Sequence, residues 1–140
     1  MRVLIDTNVA LDWLLMLQPW FAEAEAFWRL LENGGVIGHI LASAVTDIFY
    51  IARRLVGLEA AQVAVRTSLS AFVIVPVDRE ALEEALLIPV NDYEDNLQMV
   101  CARFAGLDAI ITRDPIGFRG ATIPILSPIE ASDSYRQTGR

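Results

Sequence analysis

Five aspartates carry most of the chemistry this sequence could do. Asp6 follows the apolar run Val3-Leu4-Ile5, and Asp114 comes shortly after Ala109-Ile110-Ile111. Both runs read as strands buried on two faces. Asp47 lies about one turn into a helix opened by Ser43, where an aspartate is a poor helix former. Asp92 and Asp95 are spaced i, i+3, which puts them on one helix face. That face opposes Leu97, Val100 and Phe104, and Glu94 between them is expected to point elsewhere. Ligands of open α/β sheets bind beyond the carboxyl ends of the strands. If the first and fourth strands are neighbours, Asp6, Asp47, Asp95 and Asp114 converge there, with Asp92 close by. The plainer reading of Asp6 and Asp92 is that each caps a helix.

Such a convergence needs compensation. Two carboxylates about 4 Å apart repel by roughly 4 kcal/mol at an effective dielectric near 20. The eleven basic residues are all arginine, so no lysine can neutralise the set, and no arginine is tied to it by spacing. A histidine-free, all-oxygen site suits Mg²⁺ or Mn²⁺. A divalent cation held by carboxylates activates water and neutralises phosphoryl oxygens, which is metal-assisted hydrolysis of a phosphodiester. It also reverses the local sign where a phosphate must approach. The net charge of −7 argues against nucleic-acid binding through a broad basic face.

The elements that must position these acids alternate. Strands are expected at 3–5, 36–41, 72–75, 109–111 and 123–126. Helices are expected at 9–17, 21–31, 43–56, 58–69, 79–88 and 93–104, the last capped by Asn91-Asp92. This pattern gives a helix-rich three-layer α/β/α domain on a parallel sheet. A single domain spans 1–130, and the polar residues 131–140 read as a frayed tail. Asp78 also follows a strand and opens a helix, but a strand at the sheet edge would leave it outside the cluster. Asp12 reads as an ordinary surface residue, His39 as structural and Cys101 as a packed, inert thiol. Trp13, Trp20 and Trp28 belong to the core or to a homodimer face. Hydrophobic residues make up 54% of the chain, yet no apolar run approaches the roughly 18 residues of a membrane span. The excess points to an apolar surface that meets another chain. The chain enters structure directly, without a leader pattern, so the expected location is cytoplasmic.

Four segments resemble one family in its order and roughly its spacing. They are Val3-Leu-Ile-Asp-Thr-Asn8, the Ser43–Arg54 helix, Asp92-Tyr-Glu-Asp-Asn-Leu-Gln98 and Ile110-Ile-Thr-Arg-Asp114. Together with the closing Ile123–Glu130 they resemble the PIN-domain nucleases, among them the VapC-type toxins of prokaryotic toxin–antitoxin pairs. The resemblance implies a five-stranded parallel sheet in the order 3-2-1-4-5. It implies an endoribonuclease dependent on Mg²⁺ or Mn²⁺ that cleaves single-stranded RNA, leaving a 3′-hydroxyl and a 5′-phosphate. It implies a homodimer inhibited by a small antitoxin protein.

By the same resemblance Asp6, Asp95 and Asp114 match metal-binding acids of the family. Asp47 falls where the family usually has glutamate, one methylene longer, which implies a water-bridged contact and weaker activity or metal affinity. Thr7, Asn8 and Thr112 are implied as hydrogen-bonders that orient the carboxylates, with capping or turn chemistry as the alternative for each. A non-catalytic module that binds protein or RNA on the same fold is the second functional reading, motivated by Asp47 and the acidic surface. An acidic phosphotransfer domain is disfavoured: a receiver-like site lacks its lysine, and a phosphatase-like site lacks Asp-x-Asp after the first strand.

Overall fold

The computed structural model describes residues 1–89 and 92–138. Its sheet is five-stranded and parallel, in the order β3-β2-β1-β4-β5. The strands are β1 (Arg2–Ile5), β2 (Ile37–Leu41), β3 (Val73–Val75), β4 (Ala109–Ile111) and β5 (Ile125–Leu126). Central β1 pairs Leu4 with His39 of β2 and with Ile110 of β4. Val3, Leu4 and Ile5 have no solvent exposure worth counting, at 0, 0 and 2%. Burying each such side chain is worth about 1.5–3 kcal/mol, so the strand before Asp6 is fixed in the middle of the core. Nδ1 of the buried His39 faces the carbonyls of Val3 and Ile37 at 3.2 Å each, a structural role within the sheet.

The helices are α1 (Thr7–Leu14), α2 (Phe21–Glu32), α3 (Ala42–Val56), α4 (Leu58–Ala71), α5 (Arg79–Leu86), α6 (Tyr93–Phe104) and α7 (Pro128–Thr138). α3 and α4 form an antiparallel hairpin that turns at Gly57, whose φ of 95° lies in the left-handed region that favours glycine. Trp13 of α1 stacks on Trp28 of α2 at 3.4 Å between ring centroids, and Trp28 meets Phe72 edge-on at 5.2 Å. Those two tryptophans pack the α1–α2 pair onto the sheet. Asp78 caps α5 by accepting the N–H of Ala81 at 3.0 Å, at the edge strand and apart from the other acids. Asn91, expected to share the α6 cap with Asp92, lies outside the described residues.

The polar end of the chain is helical through Thr138. Ser127 and Glu130 form a capping box: the Ser127 N–H donates to Glu130 Oε1 at 2.8 Å, and the Glu130 N–H donates to Ser127 Oγ at 3.0 Å. α7 follows from this cap and lies on α2, with Ala131 fully buried. Tyr135 lies so close over Gly35 that a Cβ there would come within 2.5 Å of its ring. A polar composition hid a helix that meets the body through Ala131, Ser132 and Tyr135.

Candidate metal centre

β1 ends at Ile5, and Asp6 continues in extended conformation. Its N–H donates to the Ile111 carbonyl at 2.9 Å, so its backbone is pinned to the end of β4. Its own carbonyl accepts the N–H groups of Val9 and Ala10, which starts α1. Asp6 thus stands at the N-cap position, yet its side chain makes no cap bond. Instead Oδ2 accepts from Thr112 Oγ1 at 2.8 Å and Oδ1 accepts from Gln98 Nε2 at 3.1 Å. The residue is 6% exposed. Hydrogen bonds to a charged group contribute about 1.5–3 kcal/mol each, and these two fix the direction of a buried carboxylate.

Thr112 also ties Asp6 to the next acid, because its Oγ1 accepts the Asp114 N–H at 3.0 Å. Asp114 itself is exposed at the start of a short 3₁₀ turn, Pro115–Phe118. Gly117 of that turn lies between two carboxylates. A Cβ there would stand 2.6 Å from Asp95 Oδ2 and 3.5 Å from Asp114 Oδ2. Glycine therefore makes the space in which Asp95 and Asp114 approach.

Partial burial pushes the Asp95 carboxyl up to about 6, and the charges of Asp6, Asp92 and Asp114 push in the same direction. Glu94 does not point elsewhere, as its place between Asp92 and Asp95 suggested. It is pushed up to about 7, first by lost solvation, then by a hydrogen bond to Asp47 and the charges of Asp47, Asp6 and Asp92. Side chains of a helix tilt toward its N-terminus, and Glu94 is in the first turn of α6, so it leans out toward α3. Asp92 does cap α6, accepting the Glu94 N–H at 2.9 Å, while its charge acts on both Glu94 and Asp95. Asp6, Asp47, Asp92, Asp95 and Asp114 are thereby linked electrostatically into one group, with Glu94 as a further member. Neither Thr7, which is buried, nor Asn8, which is exposed, hydrogen-bonds a carboxylate among the described residues. Cys101 lies buried, its thiol pushed up to about 11 mainly by burial.

Asp12 is not a surface residue. It is 1% exposed and accepts from Arg113 Nε at 2.9 Å, with Arg113 Nη2 at 3.5 Å from its other oxygen. Burial pushes its carboxyl up, and the Arg113 hydrogen bond and charge oppose that rise. The guanidinium of Arg113 lies 3.7 Å over the Trp20 ring. No local pattern could reveal a pair whose members are 101 residues apart. Gln98, by contrast, sits i+3 from Asp95 on α6, a spacing that could have marked it.

The donor set is all carboxylate oxygen, and its negative charges raise the carboxyls of Glu94 and Asp95. That chemistry fits a hard divalent cation. Among the described residues no three His, Cys, Asp or Glu side chains stand close enough to enclose one by themselves. Mg²⁺ keeps several waters and uses one or two carboxylates, so an open arrangement of acids suits it.

A family model described as PIN domain matches residues 2–115. Among solved structures, the sarcin-ricin loop cleaving toxin VapC20 of Mycobacterium tuberculosis aligns with a TM-score of 0.69 at 13% identity, over 86% of this chain and 96% of its own. A toxin–antitoxin complex from Klebsiella pneumoniae aligns with a TM-score of 0.67 at 21% identity, over 90% and 97%. DNA-bound VapBC from Salmonella typhimurium gives 0.68 at 19%, over 91% and 98%. At these identities the likeness establishes the fold. No curated protein sequence matches the chain significantly.

Proposed function

The chain belongs to the PIN domain family, and on that premise we propose that it is an endoribonuclease dependent on Mg²⁺ or Mn²⁺, acting on single-stranded RNA as the toxin of a toxin–antitoxin pair. The observation that carries this reading is Asp6: a buried carboxylate at a helix N-cap position that caps nothing and is instead aimed by Thr112 and Gln98. Asp6, Asp95 and Asp114 would hold the cation, one or two of them directly and the rest, with Asp47 and Asp92, through water. A divalent cation bound there lowers the pKa of water and neutralises phosphoryl oxygens. The chain's own part is to orient these carboxylates. Thr112 and Gln98 do this for Asp6, and the space at Gly117 does it for Asp95. Glu94 supplies, from α6, the longer carboxylate that Asp47 lacks, and the two are joined by a hydrogen bond.

Several features support a protein partner. Two of the structural neighbours named above are toxin–antitoxin assemblies. An apolar groove of about 600 Å³, lined by Trp13, Leu14, Phe21, Val56 and Val63 among others, runs between the α1–α2 pair and the α3–α4 hairpin. It suits an amphipathic segment of a small antitoxin. Exposed Leu86 and Leu87 add apolar surface for a homodimer. No helix among the described residues is long and apolar enough to cross a membrane, and a cytoplasmic site of action goes with an RNA substrate. Induced expression tests the toxin reading. Wild type is expected to arrest growth and Asp6→Asn to be harmless at equal protein level. Equal growth of both, or equal arrest by both, contradicts it.

A further inference from the structure

Asp12, Arg113 and Trp20 form a unit that the proposed reaction does not use. Arg113 stands between Thr112, whose hydroxyl holds Asp6, and Asp114. Three consecutive residues leaving β4 are therefore tied down in turn. Thr112 bonds Asp6 at the start of α1, Arg113 bonds Asp12 within α1, and the Asp114 N–H bonds back to Thr112. The Asp12 side chain is 2% exposed and that of Arg113 is 31% exposed. Trp20 covers one face of the guanidinium, a favourable cation–π arrangement. An apolar pair could join the same two segments as firmly. What a guanidinium adds is direction, because its planar fork fixes the orientation of whatever carries it.

We infer that Asp12, acting through Arg113 braced on Trp20, positions the Thr112–Asp114 segment so that Asp114 and Asp6 present their carboxylates to a divalent cation. The inference rests on the metal-dependent reading above. Asp12 and Arg113 are positioning residues and touch no substrate in this account.

The test is Mn²⁺ binding by the whole chain, measured calorimetrically, beside thermal melts in EDTA. The double variant Asp12→Asn, Arg113→Gln removes both charges and so leaves no unpaired buried ion. It is expected to melt near wild type and to bind Mn²⁺ about 10- to 100-fold more weakly, as loss of orienting partners does. Arg113→Lys, which keeps the charge without the fork, is expected to fall between the two. With RNA, kcat is expected to fall while KM holds. Unchanged Mn²⁺ affinity in the folded double variant overturns the inference, whatever its melting temperature. A raised KM with a shallower salt dependence at unchanged Mn²⁺ affinity overturns it too, and makes Arg113 a phosphate contact. If the double variant does not fold, Trp20→Leu removes the brace alone, and undiminished Mn²⁺ affinity there overturns the inference equally. A wild type that binds no Mn²⁺ defeats the functional reading, and this inference falls with it.

Discussion

At the scale of single residues, the site is a balance between burial and repulsion. Glu94 and Asp95 have carboxyls raised to about 7 and about 6, from ordinary values of 4.5 and 3.8. A raised carboxyl stabilises the fold fully below its ordinary value and loses that contribution as pH rises through the raised one. The metal-free protein is therefore expected to melt higher at a pH of about 5 than at about 8, because the like charges form across that window. Mn²⁺ affinity runs the other way, since the cation competes with those protons. Melts in EDTA and Mn²⁺ titrations at each pH check both signs, and a melting temperature flat across the window contradicts the first. Removing Arg113 alone, as Arg113→Met, leaves Asp12 buried and unpaired. That is expected to cost about 3 kcal/mol, the lower end for a broken buried pair because Arg113 is partly exposed, and denaturant unfolding reads it. Asp6 was legible in the sequence because a buried strand, an acid and a helix follow in succession. Glu94 was not, because helical spacing gives a face but not the lean of a first-turn side chain.

At the scale of elements, short connections do the positioning. The 3₁₀ turn after β4 brings Gly117 against Asp95, and Gly117 has no positive φ to defend. Gly117→Ala should therefore leave the backbone in place and displace only the flexible Asp95 carboxylate. The expected result is near-native stability with Mn²⁺ affinity lowered about tenfold, read by calorimetry. Equal affinity would show that the approach of Asp95 to Asp114 does not matter. The capping box at Ser127 gives a contrasting case, since α7 lies away from the acids. Ser127→Ala is expected to cost about 1 kcal/mol of stability and to leave Mn²⁺ binding unchanged. Strand and helix positions were mostly readable because apolar periodicity reports burial directly. The α7 cap had a readable signal, Ser127-Pro-Ile-Glu130, which a polar composition outweighed.

At the scale of the whole molecule, the sheet order decides which acids meet. β1 lies between β2 and β4, so Asp6 and Asp114 leave adjacent strands, and the α3 and α6 helices bring Asp47, Glu94 and Asp95 to the same edge. The sequence could suggest this adjacency only as a condition, because pairing between strands about a hundred residues apart leaves no local mark. The edge strand β3 explains why Asp78, of the same local type, is merely a cap. A chain of net charge −7 would meet the proposed RNA substrate without a general electrostatic pull. Its dependence on a bound cation should then be nearly complete. The most direct measurement is cleavage of a labelled single-stranded RNA by wild type, Asp6→Asn and Asp95→Asn, each verified as folded by its melting temperature. Cleavage by wild type with Mn²⁺, none in EDTA, and a loss of roughly 100-fold or more in both variants is the predicted result. Cleavage that survives in both folded variants, or none by wild type with any divalent cation, would contradict the account.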